Sequence, residues 1–581
     1  MRFLRMGTNS LLAGALGAAY LTVLVLQLNP QIPILSATTW RWYVTLGMLY
    51  GLHLAVTFYV VIVIREFFAL DPFSPGWASV RMLAWMGASA AAVAATLMWL
   101  NVRGFGAALT DEAAWRMTAG AVATSASAVV LLAIAVAHYS FGRRGSRVGA
   151  SLFVLAACGS LALPLAARGS AVPVAAAIPP VGPDAPTPAP PPDGPRVLML
   201  LLDGASMDYI LPRVAEGRLP GFARLLDRGA VIDLATTRPT QPDPVWAAVA
   251  TGMYPSKNGI RSAGSYYARG DDRAVDLLPD RCLSNMLVHL GFIRNQPNQS
   301  GVWHARPLWS IVSDAGLPVA VVRWPLTYPA APVRGVLISD RFLQVSGSIA
   351  EFDGAAWPAA VLPQLQTVLT AAEASPRPGD TAPLLPSELP EGAALRPDRF
   401  YAAALAAVAP GVDARFTALR YDGLDVVGHY YLSAGQSRTF RDPQDDELRR
   451  PLQILDDYYA YIDGEIDAAA SRLRPEDLLV VVSGFGMQPL DPIKRVLGRL
   501  LGDPDFTGTH ERAPDGFMLA YGGPVEPGRR PRGSIVDVAP TVLYYLGLPI
   551  ARDMDGFARA DLFKRAYTAE RPIVFIPSYS R

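Results

Sequence analysis

Long apolar runs fill the first third of the chain, whereas short apolar and polar stretches alternate over the remainder. Five of the long runs hold about 20 residues each, the length that an α-helix needs to cross the hydrocarbon core of a bilayer. The runs cover residues 11–28, 42–64, 82–100, 117–139 and 148–167. The pattern predicts an all-α transmembrane domain of about five helices over residues 1–170. The first run is expected to be a retained anchor, because further spans follow it.

Arginines are distributed unequally about the predicted spans. Seven of them, Arg2 and Arg5 included, lie on the side that contains the amino terminus, and four lie on the opposite side. Because basic loops are retained in the cytoplasm, this bias predicts a cytoplasmic amino terminus. We therefore expect a multi-pass protein of a bacterial-type inner or plasma membrane. If all five spans insert, its C-terminal domain is extracytoplasmic (periplasmic).

The remainder of the chain has the pattern of an α/β domain. Residues 171–195 are rich in proline and alanine, which predicts an extended linker. Beyond them, strand-like runs such as RVLMLLLD and DLLVVVSG alternate with helical patterns, one of which covers residues 209–228. Such alternation is typical of a doubly wound, mainly parallel sheet with helices on both faces. We expect this domain to cover residues 196–581, with a cap inserted at about 340–395.

The composition supports a membrane protein and argues against two other classes. Of the 581 residues, 51% are hydrophobic and only 17% are charged. The formal net charge is +1, and no basic stripe with interleaved aromatic residues is present, so no nucleic-acid partner is expected. Two cysteines, Cys158 and Cys282, are too few for a disulfide framework. The lipid bilayer is the first partner that the sequence predicts.

Several carboxylates and histidines lie at or near the predicted carboxyl ends of strands, where parallel sheets form their functional sites. Asp203 directly follows the strand-like run RVLMLLL. Functional sites of parallel sheets form at the carboxyl ends of the strands, so Asp203 is a candidate site residue. As an alternative, Asp203 and Gly204 form only a turn. Asp425 and His429 are four residues apart and would share one face of a helix. With His510 they make a three-ligand set that leaves a fourth position open, as expected of a catalytic zinc.

The motifs in this order resemble the type I phosphodiesterase and nucleotide pyrophosphatase branch of the alkaline phosphatase superfamily. They are LLLDGAS, ATGMYPSKNGI, LDVVGH, VVVSGFGM, GTH followed by DGFMLAYG, and DVAPTVLYYLGLP. The resemblance implies a doubly wound α/β fold, two zinc ions and a Thr or Ser nucleophile that is transiently phosphorylated. By the same resemblance, Asp425, His429 and His510 look like the full ligand set of one zinc, and Asp203 looks like the first carboxylate of the other.

Three positions depart from the family pattern. Where the family has Ser-Asp-His-Gly-Met, this chain places Gly484 and Phe485 at the Asp and His, and neither can bind a metal. The nucleophile position falls on Pro242, which has no hydroxyl group. We therefore expect one zinc ion and a degraded second metal site.

Nearby residues supply weaker candidates for the missing chemistry. Thr240 and Thr237 are shifted candidates for a nucleophile, provided that the loop follows another path. Asp243 is a candidate replacement ligand or base. As the favoured alternative, Asp243 is the N-cap residue of a helix, because Pro244 and an apolar run follow it.

The leading hypothesis is a membrane-anchored phosphodiesterase-like ectodomain with one zinc site and reduced or absent phosphoester hydrolysis. Direct attack by a zinc-activated water, or simple binding of a phosphorylated or anionic ligand, would both suit such a site. A second hypothesis is an active phosphodiesterase or envelope phosphotransferase, since lipoteichoic-acid synthases and phosphoethanolamine transferases have a similar layout. A third is a non-catalytic protein whose spans bind membrane protein partners.

Overall fold

The computed structural model describes residues 1–68, 75–140, 147–168, 194–238, 240–279, 284–344, 354–374, 392–436, 446–501 and 506–580. The chain divides into two compact units. The first comprises Met1–Val174 and Gly264–Pro297, and the second comprises Ala175–Ala263 and Asn298–Arg581. The predicted linker and much of the predicted cap lie outside the described residues, and the predicted domain boundaries stay a prediction.

The helices of the described residues are α1 Arg2–Leu28, α2 Ala37–Leu46, α3 Leu52–Phe68, α4 Val80–Phe105, α5 Asp111–Ser140, α6 Arg147–Ala166, α7 Met207–Ala215, α8 Pro220–Arg228, α9 Pro242–Thr251, α10 Pro255–Asn258, α11 Ser284–His289, α12 Leu308–Asp314, α13 Leu362–Ala374, α14 Gly392–Val408, α15 Gly423–Gln436, α16 Asp446–Ser471, α17 Pro492–Leu501, α18 Val538–Tyr545 and α19 Arg565–Glu570.

The strands are β1 Val197–Leu202, β2 Ala230–Ala235, β3 Gly264–Ala268, β4 Ile293–Pro297, β5 Val319–Val322, β6 Gly335–Ile338, β7 Ala356–Trp357, β8 Phe416–Tyr421, β9 Leu478–Phe485, β10 Gln488–Pro489, β11 Gly508–Thr509, β12 Asp515–Tyr521, β13 Gly528–Arg529, β14 Gly533–Ser534, β15 Ile550–Ala551 and β16 Phe575–Ile576.

Five helical segments of the first unit are long and apolar enough to cross a membrane, as the sequence predicts. They are Arg2–Leu28, Ala37–Phe68, Val80–Phe105, Asp111–Ala137 and Arg147–Ala166. The second segment combines α2 and α3 through a π-helical turn at Gly47–Gly51. A Cβ atom on Gly14 would lie 2.2 Å from the carbonyl oxygen of Gly51. The glycines therefore let two apolar helices pack backbone against backbone, which is a common arrangement in membranes.

A short segment that follows α10 in the sequence also belongs to the first unit. It contains the antiparallel pair β3 and β4 and the helix α11. Asn29, at the end of α1, is fully buried and binds this segment. Its side-chain oxygen accepts the backbone N–H groups of Asp276 and Leu277 at 3.0 Å each, and its amide nitrogen donates to the Leu277 carbonyl at 2.7 Å.

The second unit is built on one mixed, mainly parallel sheet, which confirms the predicted fold class. Its strand order is β13-β2-β12-β9-β1-β8-β5-β6-β7, with β14 also paired to β2. The five strands from β9 to β6 run parallel, and β12 and β7 run antiparallel to their neighbours in that set. The parallel strands therefore all deliver their carboxyl ends to the same edge.

The strand β1 shows why an unbroken apolar run suits this position. Val197, Met199 and Leu201 pack into one apolar cluster, whereas Leu200 and Leu202 pack into another. Because side chains alternate along a strand, the two clusters lie on opposite faces of the sheet, and each face needs apolar residues.

One predicted helix is wrong in its extent. The pattern over residues 209–228 predicts a single helix, but the structure has two, α7 and α8. Gly217 adopts a left-handed conformation with φ of 73°, and Pro220 then begins the second helix. A glycine at positive φ and a proline at the first helical turn each interrupt a helix, and here they outweigh the apolar periodicity.

Candidate metal centre

One carboxylate and two imidazoles converge beyond the carboxyl ends of the sheet. Asp425 and His429 lie one turn apart on α15, and His510 directly follows β11. The three side chains offer ligand atoms that all lie within 4.8 Å of one another. The structure thus brings together the three residues that the sequence singles out.

Both imidazoles are oriented by backbone carbonyls. The Nδ1 atom of His429 lies 2.9 Å from the carbonyl oxygen of Gly508, and that of His510 lies 2.8 Å from the carbonyl oxygen of Thr240. A carbonyl can only accept, so each Nδ1 carries a proton, and Nε2 is the nitrogen that is left for a metal. Metal-ligating histidines are commonly held in this way, through the nitrogen that does not bind the metal.

The Asp425 carboxylate supplies the third ligand atom. Its Oδ2 lies 3.5 Å from the Nε2 of His429, whereas its Oδ1 is buried and accepts no hydrogen bond from any described residue. Burial opposes ionisation, but His429, His510 and Arg420 together outweigh burial and hold the pKa of Asp425 below its usual value. An ionised carboxylate with an unsatisfied oxygen, close to two imidazoles whose Nε2 atoms are left for a metal, fits a divalent cation such as zinc.

Asp203 directly follows β1, and its two carboxylate oxygens already accept hydrogen bonds from neighbouring side chains. It is 1% exposed, and both of its oxygens accept from the Nε of Arg420 at 3.1 Å. The Nη2 of Arg420 also donates to Oδ2 at 2.5 Å, and the indole Nε1 of Trp246 donates to Oδ1 at 2.6 Å. Asp203 is therefore the acceptor of a buried ion pair.

Apolar side chains surround Gly484 and Phe485, two of the three positions that depart from the family pattern. A Cβ atom on Gly484 would lie 2.3 Å from Cγ1 of Val245, so there is no room for a longer side chain there. Phe485 is fully buried, and its ring centroid lies 5.1 Å from that of His510. Neither position offers a polar atom to a metal.

The loop before α9 holds the weaker candidates, and one interpretation of it is wrong. The N-cap residue of α9 is Gln241, and Pro242 is its first residue, so Asp243 lies in the first turn instead of capping the helix. Proline at the first position sets the backbone for the helix by itself, so the helix starts two residues earlier than an N-cap at Asp243 would place it. Burial raises the pKa of Asp243 to about 7, although Arg420 opposes this shift.

Thr240 and Thr237 do not present their hydroxyl groups to solvent. Each is 1% exposed, and the Oγ1 of Thr240 donates to the Thr237 carbonyl at 3.2 Å. The Oγ1 of Thr237 is buried without a hydrogen-bond partner among the described residues. The contribution of Thr240 to the centre is its carbonyl, which orients His510.

The sequence profile of type I phosphodiesterases and nucleotide pyrophosphatases matches residues 197–525, which is more than half of the chain. The chain belongs to this family. No curated protein sequence matches the chain.

Among solved structures, the chain is similar to murine ectonucleotide pyrophosphatase/phosphodiesterase 5, in an inactive form in complex with AMP, with 13% identity and a TM-score of 0.37. Human ectonucleotide pyrophosphatase/phosphodiesterase 5 gives 12% identity and a TM-score of 0.37. Each similarity covers 64% of this chain and 100% of the other.

The sequence motifs pointed to the candidate metal ligands but not to Arg420 or Trp246. The sequence did contain a signal for Arg420. It lies within the strand-like run ARFTALRY, and both faces of the predicted sheet are covered by helices. A charged residue in such a strand requires a partner of opposite charge. Trp246 gave no comparable signal, since a tryptophan in an apolar helix is ordinary core.

The crowding at Gly484 yields a prediction for stability. We expect Gly484→Ala to lower the free energy of unfolding by about 1–3 kcal/mol, because the new methyl group would overlap the fully buried Val245. Thermal unfolding of the detergent-solubilised full chain would measure this.

Gly464→Ala is the matched control. Gly464 lies within α16, and a Cβ atom there would meet nothing within 4 Å, so the same substitution should leave stability unchanged or raise it slightly. Equal unfolding temperatures for Gly484→Ala and the wild type would contradict the crowding at this position.

Proposed function

We propose that this family member is a membrane-anchored, phosphodiesterase-like protein that binds one zinc ion at Asp425, His429 and His510. The observation that carries the proposal is the orientation of the two imidazoles. Both use Nδ1 to bind carbonyl oxygens, which leaves Nε2 for a metal, and the ligand atoms of the two histidines and of Asp425 lie within 4.8 Å of one another. This arrangement costs stability in the absence of a cation and is satisfied in its presence.

The ligand class that we propose is a phosphoester or another anion that carries a phosphoryl group. Membership in the phosphodiesterase family supports this class. Bound zinc would supply a Lewis acid for a phosphoryl oxygen and would lower the pKa of an attacking water. Three protein ligands leave a coordination position free for such chemistry.

We further propose that phosphoester hydrolysis is weak or absent. Pro242 has no hydroxyl, and the hydroxyls of Thr240 and Thr237 are buried, so a phosphorylated protein intermediate has little support. Burial raises the pKa of Asp243 to about 7, a value that would suit a proton acceptor near neutral pH. Any remaining turnover would therefore proceed by direct attack of water.

The five apolar helices support a membrane location. The arginine distribution supports an extracytoplasmic, periplasmic-type position for the α/β domain.

The test uses the full chain in detergent, stripped of metal with a chelator and then dialysed against zinc. We expect one zinc per chain by mass spectrometry. We also expect slow, zinc-dependent hydrolysis of bis(p-nitrophenyl) phosphate, or zinc-dependent binding of inorganic phosphate without hydrolysis.

Three outcomes would overturn the proposal. They are a chain that retains no zinc, a chain that retains two, and rapid turnover with a phosphoryl adduct on Thr240 or Thr237.

A further inference from the structure

Side chains of the protein itself, those of Arg420 and Trp246, bind Asp203 at the position where the family pattern has a second metal. Arg420 lies on β8, which pairs with β1 in a register that places Leu201 beside Arg420. Its guanidinium binds both oxygens of Asp203, and Trp246 donates to Oδ1 of the same carboxylate. The one carboxylate that survives from the second ligand set therefore has its oxygens engaged.

The surrounding residues also do not fit a second metal ion. Val245 fills the space into which a side chain at Gly484 would project. Phe485 places a phenyl ring at the other ligand position and packs it against His510. A metal at this position would have to displace a buried arginine and would then find a single ligand, so we derive no chemistry through it.

Arg420 is a permanent cation in an acidic environment. The carboxylates within its electrostatic range are Asp203, Asp243, Asp340, Asp422 and Asp425. Burial would lower the pKa of the guanidinium, but Asp203 and its neighbours outweigh burial and raise that pKa. The guanidinium of Arg420 therefore remains charged.

One amino group of the guanidinium is not used by Asp203. Nε and Nη2 donate to the carboxylate, whereas Nη1 donates to no group among the described residues. Nη1 is also not among the buried unsatisfied atoms, and the side chain is 11% exposed, so this amino group reaches solvent. Asp203 and Trp246 hold the rest of the side chain fixed and leave Nη1 as a pre-oriented donor.

We propose that Arg420 replaces the second metal ion, neutralising Asp203 and offering Nη1 to an anionic oxygen of the phosphoryl group that binds at Asp425, His429 and His510. This inference rests on the proposed function, since it assigns a second contact to the same ligand. Arginine suits the role, because its planar, always charged fork binds a carboxylate and a phosphate oxygen at once. Asp203 and Trp246 are then positioning residues for the guanidinium.

The experiment compares zinc content and inorganic phosphate affinity in the zinc-loaded full chain and its variants, by mass spectrometry and isothermal titration calorimetry. For Arg420→Ala we expect one zinc per chain, as in the wild type, and phosphate binding weaker by about ten- to a hundredfold, the usual effect of losing a charged hydrogen bond. Arg420→Lys keeps the positive charge but not the planar guanidinium, so it should lose less phosphate affinity than Arg420→Ala.

A matched control is Arg213→Ala. Arg213 forms a buried ion pair with Asp456 at 2.9 Å, and both side chains are 6% exposed. Its loss should lower stability without changing phosphate affinity. If Arg420→Ala does not fold, the double variant Asp203→Asn/Arg420→Gln tests the same role of Arg420. It keeps a hydrogen-bonded pair without burying an unpaired charge. We expect it to lose as much phosphate affinity as Arg420→Ala.

The outcomes separate this inference from the proposed function. Wild-type phosphate affinity in Arg420→Ala or in the double variant, with one zinc bound, would overturn the role of Arg420 and leave the zinc site standing. Binding of a second zinc by the wild type would overturn both the one-zinc proposal and the replacement by Arg420. A wild type that binds neither zinc nor phosphate would remove the proposed function, and this inference with it.

Discussion

Replacing His510 with alanine is expected to weaken zinc binding by at least about 100-fold. His510 supplies one of the three proposed ligand atoms, and loss of an outer-shell partner alone costs about 10- to 100-fold in affinity. Loss of a ligand leaves Asp425 and His429 as a two-point site on a single helix. Competition between the protein and a fluorescent zinc chelator would measure the change.

His289→Ala is the control for this experiment. His289 lies on α11, is exposed, and is not among the grouped ligands of the described residues. It should leave zinc affinity unchanged, so any effect common to both variants would come from non-specific binding to histidine. Equal zinc affinity in His510→Ala and the wild type would show that the metal, if bound, lies elsewhere.

Replacing Asp203 with alanine is expected to destabilise the protein by about 3–5 kcal/mol. The substitution leaves the guanidinium of Arg420 in the interior without its partner, and breaking a buried ion pair from one side typically costs this much. It also removes the acceptor of the Trp246 indole N–H. Thermal and urea unfolding of the detergent-solubilised full chain would report the loss, while zinc content should stay at one per chain.

Asp233→Ala provides the comparison at the surface. Asp233 pairs with Arg529, and the two side chains are 37% and 64% exposed, so the loss should be no more than about 1 kcal/mol. The opposite pattern at Asp203, a fall in zinc content with unchanged stability, would identify Asp203 as a metal ligand and not as an ion-pair partner.

The residues that depart from the family pattern are consistent with one another. Without a second metal, Asp203 needs another cation, and Arg420 provides one. Without an acidic side chain at Gly484, Val245 can occupy the space. This packed and charge-balanced arrangement supports the proposed replacement of the second site, and it differs from what a site that had merely lost its ligands would leave.

Local patterns were sufficient to predict much of this structure. The apolar runs predicted five long apolar helical segments, and an unbroken run predicted β1 as a strand of the parallel sheet. The spacing of Asp425 and His429 predicted a shared helix face, because the helical repeat fixes that geometry.

Features that depend on pairing between distant segments could not be predicted in the same way. The contact between Asp203 and Arg420 depends on the register of β1 against β8, which are separated by more than 200 residues. The boundary of α9 was misplaced by two residues, because glutamine is a weak capping residue and the proline at position 242 set the start. Nothing in the local sequence of Gly264–Pro297 indicated that it belongs with the apolar helices.

That last segment has a consequence for the order in which the protein can fold. During synthesis, α1 and its Asn29 emerge first, but Asp276 and Leu277, which Asn29 binds, follow only after β1, β2 and α7 to α10 of the other unit. Domains usually fold as soon as they are complete, from the amino terminus onward. Here the first unit is complete only once residue 297 has been synthesised. Asn29 therefore lacks its binding partners while the first strands of the sheet are translated. A chain truncated to begin at residue 196 would contain this segment without α1, and the backbone of Asp276 and Leu277 would lack the side chain that binds it.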